Sequence, residues 1–303
     1  MALLLHSTPE RGAIWGRIFA EAGEGFIPDE ASVTDPAQVM HLACWVPPAD
    51  LARYPNLRTV ICVGAGTDHF PPLPDGVALS RTIAPGIEAM VRDWVVMAVL
   101  ALHRELPVYL DQAARGQWHP RPAQLARSRR VGIMGMGRIG QLAAESLKDL
   151  GFPVTGYSRS GAPVEGFEVF GADRLDNFLT GAEILVCLLP LTEETRGMMD
   201  DAFFTRLPEG AQLVQAGRGA QLDMAALRRA LDSGRLSASM LDVTDPEPLP
   251  PDHWAWADPR VLITPHIAAH TDAAEGARHA LSVIRAHRNG QPVPGLVDRS
   301  RGY

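Results

Sequence analysis

The sequence predicts an α/β protein in which helices cover both faces of parallel β-sheets. Short runs rich in Val, Ile and Leu alternate along the chain with segments whose apolar residues follow the helical period. Strands that alternate with helices favour parallel sheets, because each parallel pair needs a crossover connection. The chain has 303 residues, more than one hydrophobic core usually organises, so we expect two domains.

The positions of these elements give an outline of the two domains. Strands are predicted at residues 57–63, 131–134, 154–157, 184–188, 211–215, 239–242 and 261–263, and helices at 87–110, 139–150, 224–233 and 272–289. The segment 116–130, rich in Pro and Arg, is predicted as an irregular crossing between domains. We therefore assign residues 1–92 to a first domain and 93–269 to a second. We expect residues 270–303 to pack back on the first.

The charge and hydropathy of the chain argue against several classes of partner. The formal net charge is −7, which disfavours a nucleic-acid or anionic-membrane surface. The longest apolar run, residues 94–102, is too short to span a bilayer, and the first residues lack the basic start and apolar segment of a secretory signal. We expect a cytoplasmic protein that binds neither nucleic acid nor membrane.

A glycine pattern follows directly on the strand at 131–134 and opens the helix at 139–150. The G-x-G-x-x-G spacing allows a tight turn, the close approach of a diphosphate and the packing of the helix on the strand. The free backbone amides at the start of such a helix favour negative charge. We therefore predict a doubly wound dinucleotide-binding domain, with a glycine-rich turn that binds no ligand as the alternative. The predicted contacts are Gly135, Met136, Gly137, Arg138, Ile139 and Gly140.

The end of the next strand bears on the choice of coenzyme. A dinucleotide-binding domain that prefers NADH places Asp or Glu there to hold the ribose hydroxyls, whereas this chain has Ser158 and Arg159. No carboxylate would repel a 2′-phosphate, and the guanidinium of Arg159 could bind one. The sequence predicts a preference for NADPH, with NADH possible, unless Arg159 is only an exposed loop residue.

Charged residues follow three of the later predicted strands. Arg218, Glu247 and His266 all come shortly after strands of the second domain. Ligands of open α/β sheets bind outside the carboxyl ends of the strands, so these three residues are candidates for one site. His266 and His270 have a spacing that could bind zinc on a helix, but the residues between them lack the metalloprotease glutamate, so we predict no metal site.

In these motifs the chain resembles the D-isomer-specific 2-hydroxyacid dehydrogenase family, and the resemblance extends over nearly its whole length. The resemblance rests on the order and spacing of Arg218, Glu247 and His266, on the segments 45–48, 64–68, 188–192 and 247–251, and on the terminus 297–303. It implies two Rossmann-like domains, a flavodoxin-like substrate domain and the doubly wound domain, with a cleft between them. The segments are similar to a branch that reduces glyoxylate or hydroxypyruvate, giving glycolate or D-glycerate. Val46 and Gln215 depart from commoner family residues.

The chemistry of a 2-oxo acid fits the three charged residues. The planar fork of Arg218 can hold the carboxylate and polarise the ketone oxygen. His266 as imidazolium can donate a proton to that oxygen, and Glu247 would stabilise the imidazolium. The resemblance further implies coenzyme contacts at Leu189, Pro190, Thr195, Ala216 and Asp242, and substrate contacts at Trp45, Val63, Gly64, Ala65, Gly66 and Arg218. The alternatives are a turn cap at Asp242 and core packing at Trp45.

Two other functions and one assembly question stay open at this point. The chain could be an NAD-linked D-2-hydroxyacid or phosphoglycerate-type dehydrogenase, or a non-catalytic protein that senses dinucleotide and binds partner proteins. The apolar stretch 87–110 predicts a homodimer, in which Trp118 could reach a neighbouring active site or serve only as an interface or core residue.

Overall fold

The computed structural model describes residues 2–298 and divides the chain into two compact units. The first unit comprises Met1–Ile87 and His270–Tyr303, and the second comprises Glu88–Ala269. The division lies a few residues before the predicted boundary at 92/93. Residues 299–303, part of the terminal segment that supports the family resemblance, lie outside the described residues.

The chain forms twelve strands and eight α-helices within the described residues. The strands are β1 Ala2–His6, β2 Phe26–Ile27, β3 Val39–Cys44, β4 Thr59–Cys62, β5 Ala78–Arg81, β6 Val131–Met134, β7 Val154–Tyr157, β8 Glu168–Phe170, β9 Ile184–Cys187, β10 Ala211–Gln215, β11 Leu236–Leu241 and β12 Val261–Ile263. The helices are α1 Pro9–Glu21, α2 Pro85–His103, α3 Leu106–Ala114, α4 Arg138–Asp149, α5 Leu175–Gly181, α6 Asp201–Thr205, α7 Met224–Asp232 and α8 Ala273–Arg288.

The first unit is built on a five-stranded parallel sheet in the order β2-β1-β3-β4-β5. Successive side chains of a strand point to opposite faces, so Leu3 and Leu5 join one core and Leu4 joins another. Trp15 of α1 and Ala277 of α8 belong to the core of Leu3 and Leu5. The segment after residue 270 therefore completes the hydrophobic core of the first unit.

The second unit is built on a seven-stranded parallel sheet in the order β8-β7-β6-β9-β10-β11-β12. The chain starts this sheet at β6 and adds β7 and β8 on one side of it. It then returns and adds β9 on the other side of β6. The carboxyl ends of β6 and β9 thus form the topological switch point, where open α/β sheets bind ligands. Buried apolar residues form one core on each face of this sheet. The predicted α/β fold class is confirmed.

The predicted helix at 87–110 forms two helices instead of one. Helix α2 ends at His103 and α3 begins at Leu106, and between them Glu105 has a left-handed backbone with φ of 57°. Pro107 lacks the N–H that a continuous helix would pair with the carbonyl of His103, and its ring would clash with that carbonyl. A proline therefore ends α2 inside an otherwise continuous apolar pattern.

Within residues 2–298, the structure contains no helix that is both long and apolar enough to cross a membrane.

Candidate active site

A histidine and a glutamate form a hydrogen-bonded pair in the second unit. His266 follows β12, and Glu247 lies in the proline-rich loop after β11. The Nδ1 of His266 lies 2.8 Å from Oε2 of Glu247, and both side chains are 40% exposed. The other oxygen of Glu247 accepts a hydrogen bond from the N–H of Thr244 at 3.0 Å. The carboxylate therefore orients the imidazole through Nδ1, which makes Nε2 the nitrogen that can exchange a proton with a ligand.

The backbone at His266 adopts a left-handed conformation, with φ of 52°, which is uncommon for a residue that carries a Cβ. Asp242 is 2% exposed and holds this turn. Its Oδ1 accepts hydrogen bonds from the Thr264 hydroxyl at 2.6 Å and the Ile267 N–H at 2.9 Å, and its Oδ2 accepts from the Ala268 N–H at 2.8 Å. Asp242 thus serves as the cap of this turn, and its predicted contact with a nicotinamide stays a prediction.

The turn at His266 is also tied to α2 through two residues absent from the predicted site. Nε1 of Trp94 donates to the Thr264 hydroxyl oxygen at 3.1 Å, and that hydroxyl donates to Asp242. Trp94 is 5% exposed and lies in an apolar helical run. Core packing is the ordinary interpretation of such a residue, so the sequence carried no clear signal for this contact.

Arg218 lies in the loop after β10 and is held through its backbone. Its N–H donates to Oε1 of Gln221 at 2.8 Å, and its carbonyl accepts from Nε2 of Gln215 at 3.0 Å. Its Nη1 donates to the carbonyl of Gly217 at 2.8 Å. Both glutamines are fully buried. The backbone of this loop is therefore fixed from beneath by two buried amide side chains.

The loops of Arg218, Glu247 and His266 leave the sheet side by side. Gln215 pairs with Leu241 and Leu241 pairs with Ile263, so β10, β11 and β12 end in register. Neighbouring strands lie about 4.8 Å apart. At Gly219, an added Cβ would lie only 1.9 Å from the carbonyl of Thr244. The loop of Arg218 therefore packs directly on the loop that carries Glu247.

The predicted dinucleotide turn joins β6 to α4 at the switch point. Gly135 has φ of 106°, which favours glycine, and a Cβ on Gly140 would lie 1.9 Å from the carbonyl oxygen of Gly135. A Cβ on Gly137 would meet no atom within 4 Å, and no side chain caps the helix at this residue. The turn therefore presents backbone N–H groups beside an open space.

The other residues of the predicted turn have structural contacts. Met136 is 6% exposed, and its carbonyl accepts a hydrogen bond from Nε2 of Gln141 at 2.9 Å. Arg138 places its guanidinium on the carboxylate of Glu88, with Nε at 2.9 Å and Nη2 at 3.1 Å. Ile139 is half-buried in the first turn of α4. Any contact of these side chains with a coenzyme stays a prediction.

Two further segments of the predicted coenzyme site lie near this turn in the fold. Ser158 and Arg159 directly follow β7, the neighbour of β6, and Arg159 is exposed. Hydrogen bonds from the Thr192 side chain and from its own backbone hold the pKa of Glu194 below its ordinary value, and the positive charge of Arg159 contributes to this shift. Arg159 is therefore electrostatically coupled to the loop after β9.

The loop after β9 is held by its own hydroxyl groups. The Thr195 hydroxyl donates to the carbonyl of Pro190 at 2.8 Å and accepts from the N–H of Thr192 at 2.8 Å. Leu189 is 9% exposed, and the N–H of Ala216 donates to the carbonyl of Cys187 at 3.1 Å. The structure thus brings the loops of Leu189 and Ala216 together at the ends of adjacent strands.

Known proteins share the sequence pattern of this chain. The sequence pattern of the D-isomer specific 2-hydroxyacid dehydrogenase NAD-binding domain matches residues 96–268. A glyoxylate/hydroxypyruvate reductase A from Salmonella newport (strain SL254) is 37% identical over 268 residues, which are 86% of each chain.

The chain belongs to the D-isomer-specific 2-hydroxyacid dehydrogenase family.

Solved structures of family members agree over the whole chain. A D-isomer specific 2-hydroxyacid dehydrogenase from Xanthobacter autotrophicus Py2, in complex with NADPH and MES, has a TM-score of 0.93 at 37% identity and covers 100% of this chain and 99% of its own. An NADPH-dependent glyoxylate/hydroxypyruvate reductase from Sinorhizobium meliloti, in complex with NADP and sulfate, has a TM-score of 0.92 at 35% identity, with coverage of 100% and 99%. The predicted family and enzyme class are confirmed.

The predicted substrate residues of this dehydrogenase lie in the first unit, apart from Arg218. Trp45 follows β3 and is 45% exposed, and a Cβ on Gly64 would lie 2.6 Å from its ring. Val63, which is 5% exposed, leads into the turn of Gly64, Ala65 and Gly66 after β4. The Gly64 N–H donates weakly to Sγ of Cys62 at 3.4 Å, and the Cys62 thiol donates to the carbonyl of Gly66 at 3.2 Å. The indole of Trp45 therefore lies directly over this turn.

A histidine that the sequence did not single out supports Trp45. The ring of His69 stacks on Trp45 with 4.1 Å between centroids, and its Nε2 lies 2.7 Å from the Trp45 carbonyl oxygen. His69 lies after the predicted turn without a recognisable motif, and only the fold brings the two rings together. Its contact helps to fix the orientation of an indole that is 45% exposed.

Proposed function

We propose that this dehydrogenase reduces small 2-oxo acids, glyoxylate and hydroxypyruvate, to glycolate and D-glycerate with NADPH. The proposal depends on one observation, the hydrogen-bonded pair of Glu247 and His266. The loop that carries Glu247 packs on the loop of Arg218. This arrangement combines a proton donor with a cation that binds carboxylates. The relatives named as glyoxylate/hydroxypyruvate reductases support the choice of substrate.

The residues around the glycine turn fit NADPH. The space beside Gly137 would be filled by any side chain, and the N–H groups at the start of α4 favour a diphosphate. Ser158 and Arg159 directly follow β7, and no carboxylate follows that strand directly, so the proposal assigns them to the 2′-phosphate. The solved relatives in complex with NADPH and NADP support the same choice. When bound, NADPH supplies the hydride for the carbonyl carbon of the acid.

The protein's own residues then have defined tasks. Arg218 binds the carboxylate of the acid through its planar fork and places positive charge near the ketone oxygen. His266 as imidazolium donates the proton from Nε2 to that oxygen as its negative charge grows. Glu247 orients the ring through Nδ1, which leaves Nε2 as the nitrogen that donates. The predicted substrate contacts of Trp45 and of residues 63–66 stay predictions.

The proposal is tested by following NADPH loss with purified protein and glyoxylate, hydroxypyruvate, pyruvate or phenylpyruvate. We expect the first two acids to have the highest kcat/KM and NADPH to exceed NADH. Turnover only with NADH or with a phosphorylated hydroxy acid would favour the phosphoglycerate-type alternative. Coenzyme binding without turnover of any of these acids would favour the non-catalytic alternative.

We also propose that the protein is a homodimer that associates through α2, α3 and the loop after them. This region exposes several large apolar side chains, namely Met97, Leu106, Tyr109, Leu110 and Trp118. Trp118 is 94% exposed, and a surface region rich in large exposed apolar side chains favours contact with a partner subunit. A monomeric mass by sedimentation equilibrium would refute the dimer.

A cytoplasmic location belongs to the same proposal. Cys44, Cys62 and Cys187 are buried and form no disulfide within the described residues, which is typical of a reducing compartment. Fractionation of host cells should place the protein with cytoplasmic markers.

A further inference from the structure

A buried glutamine outside the predicted site connects two of its loops. Gln221 ends the short 3-10 turn that follows Arg218, and its side chain is 0% exposed. Its Nε2 donates to the carbonyl of Leu189 at 3.0 Å and to that of Pro190 at 2.9 Å. Its Oε1 accepts from the N–H of Arg218 at 2.8 Å. One amide group thus joins the loop of the proposed substrate-binding arginine to the loop proposed to face the coenzyme.

The amide of Gln221 has partners on every side. Both of its N–H groups point to carbonyls, and Oε1 also lies 3.3 Å from Nε2 of Gln215 and 3.7 Å from Sγ of Cys187. Burial raises the pKa of Cys187 to about 12, so its thiol keeps the proton that it donates. A buried polar group with all of its partners in place is difficult to rearrange, because each lost partner leaves a desolvated atom behind.

The two loops also touch directly at Gly217. A Cβ at this position would lie 2.4 Å from Oε1 of Gln221 and 2.8 Å from the carbonyl oxygen of Leu189. The loop of residues 188–190 also contacts the glycine turn, since a Cβ on Gly135 would lie 2.9 Å from the carbonyl oxygen of Leu188. A continuous series of close contacts therefore runs from the glycine turn through residues 188–190 to Gln221.

We propose that Gln221 is a positioning residue that holds the backbone of Arg218 and the loop at Leu189 and Pro190 as one unit. A shift of either loop must then move the other, so the binding of substrate and of coenzyme depends on the same side chain. The inference rests on the proposed function, because that proposal assigns Arg218 to the acid and the 189–190 loop to NADPH.

Three buried glutamines of the second unit allow a matched test. Gln221→Met keeps the length of the side chain and removes all of its hydrogen bonds. Gln215→Met removes the bonds to the Arg218 carbonyl and from the Gly217 N–H at 3.2 Å, together with the 3.3 Å contact to Oε1 of Gln221. It leaves both bonds from Gln221 to the carbonyls of Leu189 and Pro190 in place. Gln212→Met is the control, because Gln212 is 3% exposed at the other end of β10 and donates to the carbonyl of Leu102.

The measured quantities are the Kd of NADPH by fluorescence, kcat and the KM of glyoxylate, Tm, and amide hydrogen exchange of peptides that cover 188–190 and 216–219. For Gln221→Met we expect both the NADPH Kd and the glyoxylate KM to rise about tenfold, the effect of losing one buried hydrogen bond, with faster exchange in both peptides. Gln215→Met should raise the glyoxylate KM and the exchange of 216–219 only. Gln212→Met should lower Tm without changing either constant.

The proposal is wrong if Gln221→Met behaves like Gln212→Met and lowers only Tm. If Gln221→Met does not fold, Gly217→Ala decides, because its methyl group separates the same two loops and must raise both constants. If the wild-type protein reduces neither glyoxylate nor hydroxypyruvate, the proposed function fails. The NADPH Kd and the exchange rates of the two peptides then still decide whether Gln221 joins the loops.

Discussion

Glu247→Gln tests the proposed proton donor, because the carboxylate of Glu247 faces two hydrogen-bond donors. These are Nδ1 of His266 at 2.8 Å and the N–H of Thr244 at 3.0 Å. A carboxylate offers an oxygen to each donor, whereas an amide offers one oxygen and turns its NH2 group toward the other. The substitution therefore removes at least one hydrogen bond and the negative charge with little change in volume.

The expected effect follows from the exposure of the pair. A hydrogen bond to a charged group contributes about 1.5–3 kcal/mol when it is shielded. Both side chains are 40% exposed, so solvent screening reduces the contribution to about 1–1.5 kcal/mol. We expect kcat/KM for glyoxylate to fall about tenfold at neutral pH.

The assay is kcat/KM for glyoxylate with NADPH at neutral pH. Asp245→Asn is the matched control, because it removes a carboxylate from the same loop two residues away. It should change kcat/KM little. An unchanged kcat/KM for Glu247→Gln, or an equal loss in both variants, would show that Glu247 does not act on the imidazole.

The remaining predictions concern coenzyme choice, substrate binding and acid stability. Ser158→Asp places a carboxylate where the 2′-phosphate is proposed to bind, so the NADPH/NADH ratio of kcat/KM should fall by about tenfold or more, whereas Ser160→Asp should change it little. An unchanged ratio would remove the assignment. Arg218→Lys replaces a planar fork by a point charge and should lower kcat/KM for glyoxylate about 100-fold, the loss of one charged hydrogen bond, while the Kd of NADPH stays near that of the wild type. Equal loss of both constants would contradict a role limited to the acid. Burial lowers the pKa of His41 from 6.5 to about 4. As pH falls below 6.5, His41 therefore takes up a proton in the unfolded chain before it does so in the folded chain. The free energy of unfolding should fall between pH 6.5 and pH 4 by at most about 3 kcal/mol. Urea unfolding of the wild type and His41→Asn at neutral pH and pH 5 measures this, and an equal pH dependence in the two proteins would show that His41 is not responsible.

The strands of the second unit were predictable because each is a short apolar run bounded by turn residues. Residues 131–134, 154–157, 211–215 and 261–263 form strands with the predicted bounds. These strands lie inside the sheet or pack on one face under helices, so burial fixes an apolar pattern that the sequence displays. The break between α2 and α3 was missed, because the apolar pattern continues across Pro107 and only the missing N–H interrupts the helix.

The candidate site was predictable only where a residue type is unusual at its position unless it has a function. A charged residue after a buried strand, such as Arg218, is conspicuous in the sequence. Residues that hold the site in place are not, because Gln221, Thr264 and Trp94 have ordinary alternatives as buried polar or core residues. Thr264, for example, bonds to Asp242, which is 22 positions away in the sequence, and to Trp94, which is 170 positions away. Such contacts depend on the strand order, which no local pattern contains.

An acidic chain that binds an anionic acid and an anionic coenzyme must compensate its own carboxylates near the site. The net charge is −7, yet the two carboxylates beside the proposed reaction centre are surrounded by donors. Asp242 accepts three hydrogen bonds and Glu247 accepts from a backbone N–H and the imidazole. Hydrogen-bond dipoles directed at a carboxylate offset much of its field at short range. The guanidinium of Arg218 and the amides of the glycine turn then supply local positive charge for an anion, so the overall charge and the local chemistry do not conflict.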